Sequence, residues 1–241
     1  MKTKLRGVLC FAFALTVVAS FSSSGVAQIL SLDFGSGGNV EPGFTEFTLS
    51  NGASQTFGAI TVSLATNGNG DSEHLAARDR SAPSSNGAFT QGNLLRDFIF
   101  TDGTTPTCLT NGGCEGIDMT ISGLDANTSY DFVLWSNEGA TLGIHPEFVA
   151  DWTANGAAIP ALTGYTPGGP APTSDLNDFR TEFSATTNGL GEVLLTGLDA
   201  GDFRSAHMIN GLQIIPEPTS VTLLGLGLLS LAATARRRLR A

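Results

Sequence analysis

The stretch Asn67-Gly-Asn-Gly-Asp71-Ser72-Glu73-His74 gathers more potential chemistry than any other in the chain. Ser72 sits between an acid and a nearby histidine, the residue types of an activated nucleophile. A nucleophilic serine needs its base to reach back from a separate element. Here the only Asp-x-x-His spacing, Asp71 to His74, overlaps the serine itself. The same stretch places Asn67, Asn69, Asp71 and Glu73 at alternate positions, which suits an oxygen-ligand loop for Ca²⁺ and equally a solvated polar loop.

Arg78-Asp79-Arg80 and Arg96-Asp97 form a second constellation. The planar fork of arginine pairs with carboxylates inside a structure or with sugar hydroxyls at a site. Ion pairs that brace loops are the first reading. Ligand contact through Arg78, Asp79, Arg80 and Arg96 is the second. Trp135 and Trp152 offer flat faces that suit a pyranose, although a tryptophan in an alternating strand more often faces a core. Trp135 shares the phase of Asp131 and Val133, opposite Tyr130, Phe132 and Leu134, so its face is ambiguous and it is kept as a ligand candidate. His145 and His207 lack an evident base or ligand set.

Charge narrows the partners. Residues 28–215 hold five basic against 21 acidic side chains, a net charge of −16, and no lysine. Such a surface repels phosphate backbones, which argues against nucleic acid. Cys108 and Cys114 flank Asn-Gly-Gly, and in an exported chain this spacing reads as a disulfide-closed turn. No cofactor is implied beyond the Ca²⁺ candidate.

The elements that must position these groups are short strands. They are expected at 29–34, 44–50, 59–65, 95–100, 117–122, 129–136, 147–154, 179–185, 192–197 and 207–215. Glycine punctuates nearly every gap and no long helical period occurs, so the class is all-β, a jelly-roll-like β-sandwich. Gly-Leu-Asp-Ala occurs at 123–126 and 197–200, suggesting one corner used twice with each leucine tucked under the sandwich edge.

Both ends read as processing signals. Residues 1–27 carry Lys2, Lys4 and Arg6, an apolar stretch and small residues before Gln28, the pattern of a secretory signal peptide. Near the other end, Thr219–Ala235 is an uncharged run of 17 residues, about 25 Å as a helix and just long enough to span a bilayer. Arg236, Arg237, Arg238 and Arg240 follow and should stay cytoplasmic. Pro216-Glu217-Pro218, this apolar run and the arginine cluster closely resemble the PEP-CTERM sorting signal.

That resemblance implies a substrate of an exosortase, a membrane protease-transpeptidase, with passage through the inner membrane to the cell surface or extracellular matrix. The expected domains are therefore 1–27 signal peptide, 28–215 ectodomain and 216–241 sorting signal with a single transmembrane helix. Two further family patterns bear on the middle. Gly70-Asp71-Ser72 matches the opening motif of SGNH esterases, but the α/β pattern of that family is missing. The order Leu-Asp-Phe-Gly (32–35), Pro-Gly-Phe (42–44), Arg-Asp-Arg (78–80), Leu-x-Arg-Asp-Phe (94–98) and Tyr-Asp-Phe (130–132) is similar to galactose-binding-like β-sandwich modules that accompany pectin-degrading enzymes. It implies a stand-alone, lectin-like sandwich.

The expectation is a non-enzymatic exported protein that contacts extracellular polysaccharide. A polysaccharide-modifying hydrolase and a Ca²⁺-bridged matrix component are the alternatives.

Overall fold

The computed structural model describes residues 29–67, 75–80, 92–101, 116–137, 150–162, 180–199 and 207–217. The compact unit that carries them runs from Gln28 to Glu217. The expected signal peptide at 1–27, Cys108, Cys114 and the apolar C-terminal run all lie outside the described residues.

Fourteen strands occur among the described residues: β1 (Leu30–Gly35), β2 (Thr45–Thr48), β3 (Ser54–Phe57), β4 (Ile60–Thr66), β5 (Leu75–Asp79), β6 (Asp97–Thr101), β7 (Gly116–Ser122), β8 (Ser129–Trp135), β9 (Ala150–Ala154), β10 (Ala157–Ala158), β11 (Arg180–Thr186), β12 (Val193–Asp199), β13 (Met208–Ile209) and β14 (Gly211–Pro216). One sheet runs β11-β8-β14-β1-β2, a second β10-β9-β12-β7-β4-β3 and a third β13-β6-β5.

Alternation builds the core. In β7, Ile117, Met119 and Ile121 are buried while Asp118, Thr120 and Ser122 are half-exposed. Register then stacks like with like, because Ile121 lies opposite Val62 of β4 and Val193 of β12. On the facing sheet, Leu212 of β14 lies between Leu32 of β1 and Leu134 of β8. These side chains from both sheets join one hydrophobic cluster, so the two sheets form a β-sandwich.

Four features depart from the sequence reading. β3, β5 and β10 were not expected. β1 and β2 pair in parallel. Only the first Gly-Leu-Asp-Ala corner tucks its leucine: Leu124 is 9% exposed, whereas Leu198 lies within β12 and is 39% exposed. The fourth is the expected strand at 207–215, which is two strands broken at Asn210. Met208 and Ile209 pair with β6, and from Gly211 onward the chain pairs with β8 and β1.

Asn210 makes this change of sheet possible. Its N–H donates to the Trp135 carbonyl at 3.0 Å and its carbonyl accepts from Phe34 N–H at 2.7 Å. Its side chain donates to the Asp97 carbonyl at 2.8 Å and accepts from Asn137 N–H at 2.5 Å. A fully buried residue thus spends every polar group, and β1, β6 and β8 are tied together through it.

The two ends of the sandwich differ. At one, β1 begins, β14 finishes, and the turns 123–128 and 187–192 join the two main sheets. At the other, β1, β4, β8 and β12 end and β7, β9 and β11 begin. Asn210→Ala should lower stability by roughly 2–6 kcal/mol, since two buried partners lose their bonds at about 1–3 kcal/mol each. Chemical denaturation of the full chain would measure it, and a change within experimental error would remove Asn210 from this role.

Candidate functional site

Two places on the described structure concern function. The first is the end where β1 and β8 finish, where the motif order noted in the sequence closes into a knot. Asp33 on β1 accepts the Glu41 N–H at 2.6 Å through Oδ2. Glu41 in turn accepts the N–H groups of Asn93 and Leu94, at 3.2 and 3.3 Å. Asp97 at the head of β6 accepts Ser36 N–H at 3.1 Å. A Cβ on Gly35 would fall 1.8 Å from the Asp97 carboxylate, so only glycine lets that carboxylate sit against β1.

Asp33, Glu41 and Asp97 are all buried. Burial disfavours their charged forms and outweighs the backbone bonds that favour them. It lifts Asp33 to about 7, helped by the neighbouring charges of Asp97, Glu41 and Glu46. Burial also lifts Asp97 to about 6, with Asp79 adding repulsion and Arg96 opposing it. Glu41 is raised for the same leading reason.

The arginine constellation sits beside this knot and is committed to the protein. Arg96 forks onto Asp79, Nε at 2.6 Å and Nη2 at 2.9 Å. That bidentate pair offsets the repulsion between Asp79 and Asp97, which lie directly opposite across β5 and β6. Arg78 lies over the Phe100 ring, 4.7 Å from its centre. Arg80 continues the hairpin, donating its N–H to the Arg96 carbonyl at 2.8 Å.

Trp135 is 2% exposed, so its face is no open platform for a sugar. Phe44 meets it edge-on at 5.7 Å and Arg180 lies over its ring. The phase ambiguity has a physical cause: β8 is buried on both faces. Phe132 and Leu134 enter the main core, while Val133 and Trp135 form a smaller cluster with Leu94 and Leu95. Trp152 is buried in the main core.

Buried groups at this end that keep unmet hydrogen-bonding capacity among the described residues include Trp135 Nε1, the Asn137 side-chain amide, Asp33 Oδ1 and Asp97 Oδ1. Nothing in the sequence singled out Asn137; its position just past a strand end was the sole hint.

Of the calcium candidates, Asn67 donates to Asp118 Oδ1 at 3.2 Å, while Asn69, Asp71 and Glu73 lie outside the described residues, as do Ser72 and His74. No group of three His, Cys, Asp or Glu side chains suited to a metal occurs among the described residues. A groove of about 570 Å³ between β10 and β11 is lined mainly by alanines with Asn155, Phe183 and Ser184. None of the residues singled out in the sequence lines it.

The second place is the exit of the chain. β14 is a central strand, flanked by β8 and β1. Its last residue, Pro216, lies opposite Tyr130, and Ile215 packs against the cluster of Val133 and Trp135. Proline has no N–H to extend the ladder, so pairing ends there and Glu217 is exposed. Beside it, Ile29 N–H donates to the Ile214 carbonyl at 3.0 Å, which brings the start of β1 to the same end. Pro218, Arg236, Arg237 and Arg238 lie outside the described residues.

Comparison with known proteins identifies this exit. Residues 215–238 match the PEP-CTERM protein-sorting motif. The motif implies processing by an exosortase and export with sorting to the cell surface. No curated protein matches the chain. Among solved structures, protein YxiM from Bacillus subtilis matches at 17% identity and a TM-score of 0.41, over 78% of this chain and 39% of that one. The ANXUR1 extracellular domain from Arabidopsis thaliana matches at 12% identity and a TM-score of 0.47, over 78% and 48%. The ANXUR2 extracellular domain of the same plant gives 12%, 0.45, 78% and 41%. The chain spans less than half the length of each.

The carboxylate knot sets a pH dependence. Between the ordinary carboxyl value of 3.8 and the raised values of about 6 and about 7, the folded chain holds protons that the unfolded chain has released. Stability therefore falls as pH rises through this window and levels off above it. Thermal melts in steps across the window should show the decline, and Asp33→Asn, which keeps an acceptor for Glu41, should make it shallower and leave the part due to Asp97, which ends near pH 6. A wild-type stability that rises over the same window would contradict the assignment.

Proposed function

We propose that this is a non-enzymatic surface or matrix protein, exported through the inner membrane and delivered by an exosortase-type membrane protease acting on its C-terminal motif. The observation that carries the reading is the match at 215–238, whose first residues lie in the last strand of the folded sandwich. In this account the chain has three parts: a signal peptide at 1–27, the sandwich at 28–215 and the sorting signal at 216–241. The apolar run Thr219–Ala235 holds the protein in the membrane until processing. The cysteine pair closes a turn by a disulfide.

Jelly-roll-like winding is part of the same proposal, and it rests on the way the chain crosses from β7 to β8, to β9, and from β11 to β12 between facing sheets. The end where β1 and β8 finish is the surface assigned to extracellular polysaccharide. Support comes from the motifs similar to galactose-binding-like modules, Leu32–Gly35, Arg78–Arg80 and Leu94–Phe98, which the fold gathers there.

Intact mass and location of the protein from its native host test the sorting clause. Wild type should lack the residues that follow the Pro-Glu-Pro motif and reside at the surface, whereas Glu217→Ala should keep its full mass and stay in the inner membrane. A full-length mass for both would overturn the reading. For the polysaccharide clause, full-length protein on an array of bacterial exopolysaccharides should give a signal; a blank array with folded protein would remove that clause alone.

A further inference from the structure

The sandwich end from which the sorting motif emerges displays an apolar side chain with no structural use. Leu190 is 79% exposed, the most exposed of the large apolar residues described. Single exposed leucines are common on protein surfaces, so its setting has to carry the argument. It sits at the tip of the turn 187–192 between β11 and β12, and that turn is rigid. Asn188 Oδ1 accepts the N–H groups of Leu190 at 2.8 Å and Glu192 at 3.0 Å, and Asn188 Nδ2 donates to Glu192 Oε2 at 3.1 Å. Gly191 has φ of 74°, and a Cβ there would lie 2.0 Å from the Leu124 carbonyl oxygen, so the turn is pressed onto its neighbour. A leucine held out by a braced turn loses little freedom when a partner buries it.

Register fixes where this leucine stands relative to the processed segment. Thr186 lies opposite Ser129, and Pro216 lies opposite Tyr130 on the same strand. The root of the Leu190 turn and the start of the Pro-Glu-Pro motif are thus two strand spacings apart, about 10 Å. Ile29, 42% exposed, marks the same end. Whatever binds Pro216 and Glu217 must approach this face.

We propose that this face is a second recognition element for the sorting protease, with Leu190 entering an apolar socket beside the site that takes the Pro-Glu-Pro motif. The inference rests on the sorting function proposed above and names a further contact for it. Charge favours a protein over a lipid surface as the partner. Asp125 is exposed and Glu192 half-exposed beside Leu190, and Glu217 adds a third acid. The described arginines belong to β5, the approach to β6 and the start of β11, away from this end. An anionic bilayer would repel such a rim, while a socket bordered by basic side chains would fit it.

The test compares wild-type, Leu190→Asn and Leu194→Asn full-length chains in the native host, following tail removal by intact mass after a pulse of synthesis. Leu194 is an exposed leucine on β12 and serves as the control. Leu190→Asn should slow tail removal by about tenfold, the scale of losing one leucine's burial in a partner, with the control near wild type. Unchanged melting temperatures would show that folding is not the cause. Removal of the tail from Leu190→Asn at the wild-type rate overturns this inference and leaves the sorting function standing. An unchanged rate together with weaker membrane association would overturn it in favour of the bilayer. A wild-type chain that keeps its tail would overturn both.

Discussion

Asn210 is the residue on which the described architecture turns. A strand that served the small sheet at Met208 and Ile209 must cross to the centre of the main sheet by Gly211. Any residue at the crossing leaves the ladder of both sheets, and a buried backbone out of its ladder is costly unless its groups are met elsewhere. The four bonds of Asn210 meet that requirement and at the same time hold β6 against β1 and β8. The carboxylate knot depends on this placement, because Asp97 reaches Ser36 only when β6 lies beside the end of β1.

The crossing also fixes how the chain leaves the body. From Gly211 the strand runs between β8 and β1 to Pro216, so the sorting motif is rooted in the middle of a sheet. Its first residue cannot be displaced without pulling on β14 and on the small cluster that Ile215 covers. Sorting signal and folding are thereby coupled by a few residues of backbone. The start of β1 lies beside that exit, and the ends of β1 and β8 lie at the opposite end.

Much of the sandwich was legible because one buried face imposes a period of two, as in Ile60, Val62 and Leu64 of β4. Where that condition fails, the pattern fails. β3 has no fully buried residue, and β5 buries only Leu75 while its charged end is exposed. β8 is buried on both sides, which left the face of Trp135 undetermined. The break at Asn210 is decided by partners far away in sequence, although Asn-Gly inside a strand pattern was a local sign. The motifs around Asp33, Arg96 and Asp97 were visible as motifs, but acids are normally solvated, and only the fold shows three of them buried and used as clamps for backbone N–H groups. The sorting motif was legible outright, since its meaning resides in local sequence order.

The central claim is that the Pro-Glu-Pro motif begins in a central strand of the folded body. Hydrogen–deuterium exchange of the full-length chain tests it most directly. Backbone amides of 211–215 should exchange as slowly as those of 130–135, their ladder partners, with a sharp rise after Pro216. Exchange across 211–215 as fast as that of a free peptide would contradict the account, because the motif would then hang from the domain rather than grow out of it.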